Sequence, residues 1–191
     1  MNHCVFSADR KYRYLLVHRW EPESLERHCM WIALNPSIAD ESGLDNTLTR
    51  IRSFSGAAGF NAFYMLNLFG LVSTDRKALQ HHPDPVGPDT DNHIRRIATL
   101  IPTIFVAWGT DGRHQNRGQE VMQLLAQLGR RDLRCFGTNK DGSPRHPLYL
   151  SSTVKPVFYR QPISQSSPSS MTQLQRSWIR NARADYLQED A

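Results

Sequence analysis

The chain is poor in cysteine, with only Cys4, Cys29 and Cys135 among 191 residues. An odd count with no short paired spacing excludes a disulfide framework and a four-thiolate metal or cluster site as sequence expectations. Long apolar runs are also missing, so no stretch reads as a membrane span. Asp9, Arg10, Lys11 and Arg13 break any early apolar run, which removes a signal-peptide pattern. These absences lead to the expectation of a soluble, cytoplasmic protein with no membrane partner. Charge imbalance is modest. The net charge is +5, and the whole excess lies in residues 101–160, with 9 Lys+Arg against 4 Asp+Glu. A basic middle segment hints at a polyanion, while a solvated face is the plainer explanation.

Hydrophobic content of 39% is enough for a core. The strongest stretch is Met30-Trp31-Ile32-Ala33-Leu34-Asn35-Pro36-Ser37. It is apolar on both faces, which is the pattern of a buried strand. Proline at 36 stops it, because proline cannot donate to a ladder and constrains the residue before it. Asn35 therefore stands at the end of a strand, where open α/β sheets hold ligands.

The rest of the chain alternates in kind. Val5-Phe6 and Tyr14–Val17 read as a hairpin or a pair of edge strands. Glu21 to His28 reads as a loop. Asp45-Asn46-Thr47 ahead of Leu48, Ile51 and Phe54 reads as a capped helix, closed by Gly56 and Gly59. Phe60 to Leu71 is a second apolar run with one polar interruption, Asn67. Helices are expected over 75–79, 89–100 and 117–128, and further strands over 104–108 and 133–136. Residues 138–150 form a long loop carrying Arg145-His146-Pro147-Leu148-Tyr149-Leu150. Residues 1–160 thus form one domain, 161–170 a Ser/Pro-rich linker, and 171–191 a helical tail. The expected fold is α/β: three layers, α/β/α, around a mostly parallel sheet of about four strands.

Asn35, Asn67, Trp108-Gly109 and the His146 loop all follow apolar runs, in that order. In this the chain resembles the uracil-DNA glycosylase superfamily. The matching pieces are Ala33-Leu34-Asn35-Pro36-Ser37, Met65-Leu66-Asn67, Val106-Ala107-Trp108-Gly109 and His146-Pro147-Leu148-Tyr149-Leu150. The asparagine form of the first motif is similar to the mismatch-specific branch. The chain also resembles an uncharacterised bacterial domain family with an LNPS…AD, NLF, WG and HPLYL pattern. Ala33 stands where the superfamily has glycine, and Ser37 where it has tyrosine or glycine.

The resemblance implies a monofunctional glycosylase, without cofactor or metal, that hydrolyses the N-glycosidic bond of a base flipped out of DNA. Asn35 and His146 are the implied catalytic pair, one orienting the water and the other stabilising the departing base. Leu34, Pro36, Ser37, Asn67 and Phe69 (or Phe54) are implied to hold the base. Trp108, Thr110, Arg113, Arg145, Leu148 and Tyr149 are implied to hold the DNA. Serine at 37 in place of tyrosine leaves the pyrimidine C5 side open, so 5-substituted pyrimidines are expected substrates, extending to bulky modified cytosines of phage DNA. The role is then repair or phage defence, and the oligomeric state is monomer by default. Asp40 and Asp45 are the carboxylates nearest the Asn-Pro turn; capping is their expected role, with water activation by Asp40 as a second one. Two other classes remain open: a hydrolase of free nucleosides or nucleotides, and a nucleic-acid-binding module without activity.

Overall fold

The structure is a computed structural model that describes residues 2–21, 27–37 and 43–160. The linker at 161–170, the tail at 171–191, Asp40 and most of the loop at 21–28 lie outside the described residues.

Seven strands form one sheet: β1 (Asn2–Phe6), β2 (Arg13–Arg19), β3 (His28–Ala33), β4 (Ala62–Asn67), β5 (Ile104–Val106), β6 (Arg134–Cys135) and β7 (Val157–Phe158). Their order is β1-β2-β4-β3-β5-β6-β7. Among the described residues four α-helices accompany them: α1 (Asn46–Ala57), α2 (Arg76–His81), α3 (Thr90–Leu100) and α4 (Arg117–Gln127).

The expected four-stranded, mostly parallel sheet is therefore corrected to a larger, mixed one. β1/β2, β2/β4 and β6/β7 pair antiparallel, while β4/β3, β3/β5 and β5/β6 pair parallel. Two physical causes separate expectation from fold. The N-terminal hairpin does not stay at the margin: β2 continues the sheet by pairing with β4, Leu16 opposite Met65. Its apolar run Tyr14–Val17 is what an interior strand requires. At the other edge, Val157 and Phe158 are exposed and only two residues long, below what hydrophobic patterning registers.

β3 is buried on both faces, and its alternation builds two cores. Met30 and Ile32 face one cluster, with Ile94 and Ile97 of α3 and Val121, Leu124 and Leu125 of α4. Trp31 and Ala33 face the other, with Leu48, Ile51 and Phe54 of α1, Phe63 and Met65 of β4, and Phe105 of β5. Asp45 caps α1, its carboxylate accepting the Leu48 N–H at 2.7 Å, a contact worth about 1 kcal/mol. Gly59, at φ +90°, ends the helix: Gly59 N–H donates to Gly56 and Phe60 N–H to Ser55, the paired bonds of a left-handed C-terminal cap.

Parallel pairing makes β3, β4, β5 and β6 point the same way, so the segments that leave their C-terminal ends share one edge of the sheet. Bonds beyond the strands hold that edge together: Leu68 N–H donates to Ala33, Phe69 N–H to Leu34, and Ala107 N–H to Ile32. Among the described residues, no helix is long and apolar enough to cross a membrane.

Candidate functional site

A cavity of about 400 Å³ opens at this edge, within the size range of small-molecule sites. Ala33, Leu34, Asn35 and Ser37 line it from the end of β3, and Asp45, Thr47 and Leu48 from the start of α1. Trp108, Gly109, Thr110 and Asp111 line it from the segment after β5, and His146, Leu148 and Tyr149 from the C-terminal loop. Asn35 and His146, distant in sequence, thus share one cavity.

The orientation of Asn35 follows from chemistry. Its Nδ2 donates to Pro36 O at 3.0 Å and to Ser73 O at 2.8 Å. Two carbonyls can only accept, so the amide nitrogen must face them. Oδ1 is thereby turned away from those carbonyls, and Asn35 lines the cavity with its amide held in one pose. Replacing Asn35 by aspartate sets a carboxylate oxygen against two carbonyl oxygens. The expected cost is about 1–3 kcal/mol of stability, read as a lower melting temperature.

His146 caps a short 3₁₀ turn, Pro147–Tyr149. Its Nδ1 accepts from Leu148 N–H at 3.4 Å. An accepting Nδ1 carries no proton, which leaves Nε2 as the ring's donor. The loop is tied down on three sides. Gly109 N–H donates to Pro144 O and Arg145 N–H to Gly137 O, both at 2.9 Å, and the Arg50 guanidinium of α1 donates to Leu150 O. Gly109 adopts φ +70° at this junction, a backbone state that suits glycine.

Asn67 ends β4, register partner of Ala33, so the two share a face of the sheet with Met65. Ala33 and Met65 both line the cavity. Asn67 itself does not line the cavity; it is 3% exposed, and neither its Oδ1 nor its Nδ2 has a hydrogen-bond partner among the described residues. Leaving such a group unmet costs about 1–3 kcal/mol.

Several expected roles move. Phe69 is fully buried in the cluster on the opposite face, its ring 5.6 Å from that of His114, and does not line the cavity. Its alternative, Phe54, packs on Phe136 and under Arg50. Alternation carries Leu66 and Leu68 to the opposite face and then lapses, so Phe69 follows Leu68 there. Trp108 is 3% exposed and packs edge-on against Tyr159, so it stands in the cavity wall with almost none of its surface open. Arg113 is exposed and ion-paired with Asp141 at 2.9 Å, and Arg145 Nε donates to Thr138 O; neither lines the cavity. Pro36 shapes the turn, its carbonyl accepting Ser73 N–H as well as the Asn35 amide. Thr110, Leu148 and Tyr149 do reach the cavity, and Tyr149 is 83% exposed at its mouth.

Sequence reasoning missed Arg13, Asp111, Asn139 and the role of Ser73 and Thr74 in the wall. Arg13 opens an antiparallel strand, so no parallel-sheet argument points to it. Ser73 acts through its carbonyl, which carries no side-chain signal. Asp45 was visible as a cap, and its place in the cavity was not.

Among the described residues, no three His, Cys, Asp or Glu side chains are grouped to hold a metal ion. Burial raises the thiols of Cys29, to about 12, and Cys135, which leaves both protonated at neutral pH.

A family model described as a protein of unknown function (DUF1643) matches residues 13–148, a span that contains every residue lining the cavity except Tyr149. No curated protein and no solved structure matches the chain.

Proposed function

The chain belongs to the DUF1643 family of proteins of unknown function, and from the cavity we propose that it is a monofunctional DNA glycosylase acting on a flipped uracil or 5-substituted pyrimidine. The observation that carries this reading is the pairing of Asn35 and His146 across one cavity, each with its hydrogen-bonding atom set by a backbone partner.

In the proposed reaction the C1′–N1 bond breaks and its electron pair leaves with the base. Negative charge builds on the pyrimidine O2, where His146 Nε2–H donates to it; a neutral imidazole suffices. Asn35 Oδ1 accepts from a water and aims its oxygen at C1′. That oxygen bonds to C1′ as the sugar becomes oxocarbenium-like. One water hydrogen stays on the new hydroxyl, and the other goes to the departing base. An amide does not take up the proton itself, so Asn35 orients rather than deprotonates, and turnover is slower than with a carboxylate.

The buried carboxamide of Asn67, unmet on both atoms among the described residues, supplies a donor and an acceptor on the sheet face that Ala33 and Met65 present to the cavity. Its two ends match uracil in one orientation and cytosine in the other. Tyr149, exposed beside Leu148 at the mouth, supports a wedge that fills the gap left by the flipped base.

The carboxylates of Asp45 and Asp111 on the cavity favour a second reading, hydrolysis of free nucleosides, whose sugar hydroxyls donate. One assay separates the two. Duplex and single-stranded oligonucleotides carrying uracil or a series of 5-substituted pyrimidines are incubated with the protein and then cleaved at abasic sites with alkali. Abasic sites at several 5-substituted positions, with salt-dependent binding, are expected of a DNA glycosylase. Release only from free nucleosides overturns DNA as the substrate.

A further inference from the structure

Ser37 and Asp45 meet on one wall of the cavity. The Ser37 hydroxyl donates to Asp45 Oδ2, and Asp45 Oδ1 accepts the Leu48 N–H at the start of α1. A serine hydroxyl has one proton and two lone pairs, and a carboxylate has lone pairs only. With its proton committed to Asp45, Ser37 turns lone pairs to the cavity. From these two side chains this stretch of wall accepts hydrogen bonds and donates none.

Such a wall discriminates by polarity rather than by size. A ligand O–H or N–H placed beside Ser37 finds an acceptor. A carbonyl or carboxylate placed there meets like lone pairs and gives up its water without a replacement. We infer that the Ser37–Asp45 pair selects pyrimidines whose substituent beside Ser37 carries a hydrogen-bond donor, such as hydroxymethyl, over those carrying an acceptor, such as formyl. This inference rests on the glycosylase reading for the pyrimidine and for its C5 edge standing at Ser37. The polarity belongs to the wall itself.

The polarity can be inverted without removing the helix cap. Asparagine caps helices as well as aspartate does. In Asp45→Asn the amide oxygen keeps the Leu48 N–H and the amide nitrogen faces Ser37. That nitrogen donates to the serine oxygen, and the serine proton turns toward the cavity. Ser37→Ala removes both signs.

The test measures equilibrium binding of free 5-hydroxymethyl- and 5-formyl-pyrimidine nucleosides by calorimetry, alongside base release from oligonucleotides carrying the same bases. The wild-type protein is expected to favour hydroxymethyl by about 10-fold. Asp45→Asn is expected to reverse the preference, and Ser37→Ala to bring the ratio near one. A ratio unchanged in an Asp45→Asn protein that melts at the wild-type temperature overturns the inference, as does wild-type protein that binds neither nucleoside. A reversed binding preference with no base release by any protein supports the wall polarity and overturns the glycosylase reading instead.

Discussion

Replacing His146 by alanine is expected to slow base release by about 10²–10³-fold, the loss seen when one preorganised donor to a developing anion is removed. Asn35→Ala is expected to act in the same range by releasing the attacking water from its pose. DNA binding should change far less, because the groups at the mouth, Tyr149 and Leu148, remain. The check is single-turnover release against binding measured on the same oligonucleotide. His146 also caps the Pro147–Tyr149 turn through Nδ1. His146→Asn is therefore the informative companion: a short amide can retain the cap while its reach into the cavity falls short. Loss of release in both variants, with unchanged melting, separates chemistry from loop geometry.

The second large effect is on stability. Trp31 lies fully buried in the middle of β3, its ring centroid 4.8 Å from that of Phe105 and 5.5 Å from that of Phe136. Its Nε1 donates to Ser55 Oγ at 3.0 Å, tying β3 to α1. Trp31→Ala is expected to cost about 3–5 kcal/mol, a large share of the roughly 5–15 kcal/mol that holds most domains together. In a chain of this length that is a melting shift of roughly 10 °C. Trp31→Phe restores most of the packing and leaves Ser55 with only the weaker Cys29 thiol as its donor, so it should fall between the wild type and Trp31→Ala. Chemical denaturation of the three proteins checks the order. The loss should reach the site, because β3 leads directly into Asn35 and α1 carries Asp45 and Leu48.

What could be read in advance follows from how local each signal is. β3 was legible because burial on both faces leaves an unbroken apolar run, and α1 because a capping aspartate and a left-handed glycine bracket it. The meeting of Asn35 and His146 was legible because both follow elements expected to end at one sheet edge. Arg13 was not legible. It reaches the cavity through an antiparallel hairpin whose place beside β4 depends on long-range pairing. The sheet was underestimated for the same reason: β2 reads equally well as an edge or an interior strand until its partner is known. Phe69 was misplaced because alternation says nothing once a strand has ended. Arg113 and Arg145 were expected on phosphates because a cation in a loop carries no mark of its partner; here one holds Asp141 and the other a backbone carbonyl.

The Ser143 hydroxyl, by donating to Asp141, holds that carboxyl below its usual range and keeps the partner of Arg113 ionised. Asn139 Nδ2 donates in turn to Ser143 Oγ at 3.0 Å, and Asn139 lines the cavity. The wall at Asn139 is thus braced by a polar network, and the cavity is built in part on a helix cap and in part on a stapled loop.

A carboxamide and an imidazole acting together on one nucleotide is the claim on which the rest depends. It is tested most directly by single-turnover reaction of a duplex bearing a 5-substituted pyrimidine, with the freed base identified by mass, for the wild type and the Asn35→Ala/His146→Ala double variant. A free base and an abasic strand from the wild type, and neither from a double variant that still melts cooperatively and binds the duplex, is the expected result. Equal release by both proteins, or an intact strand after prolonged reaction with the wild type, contradicts it.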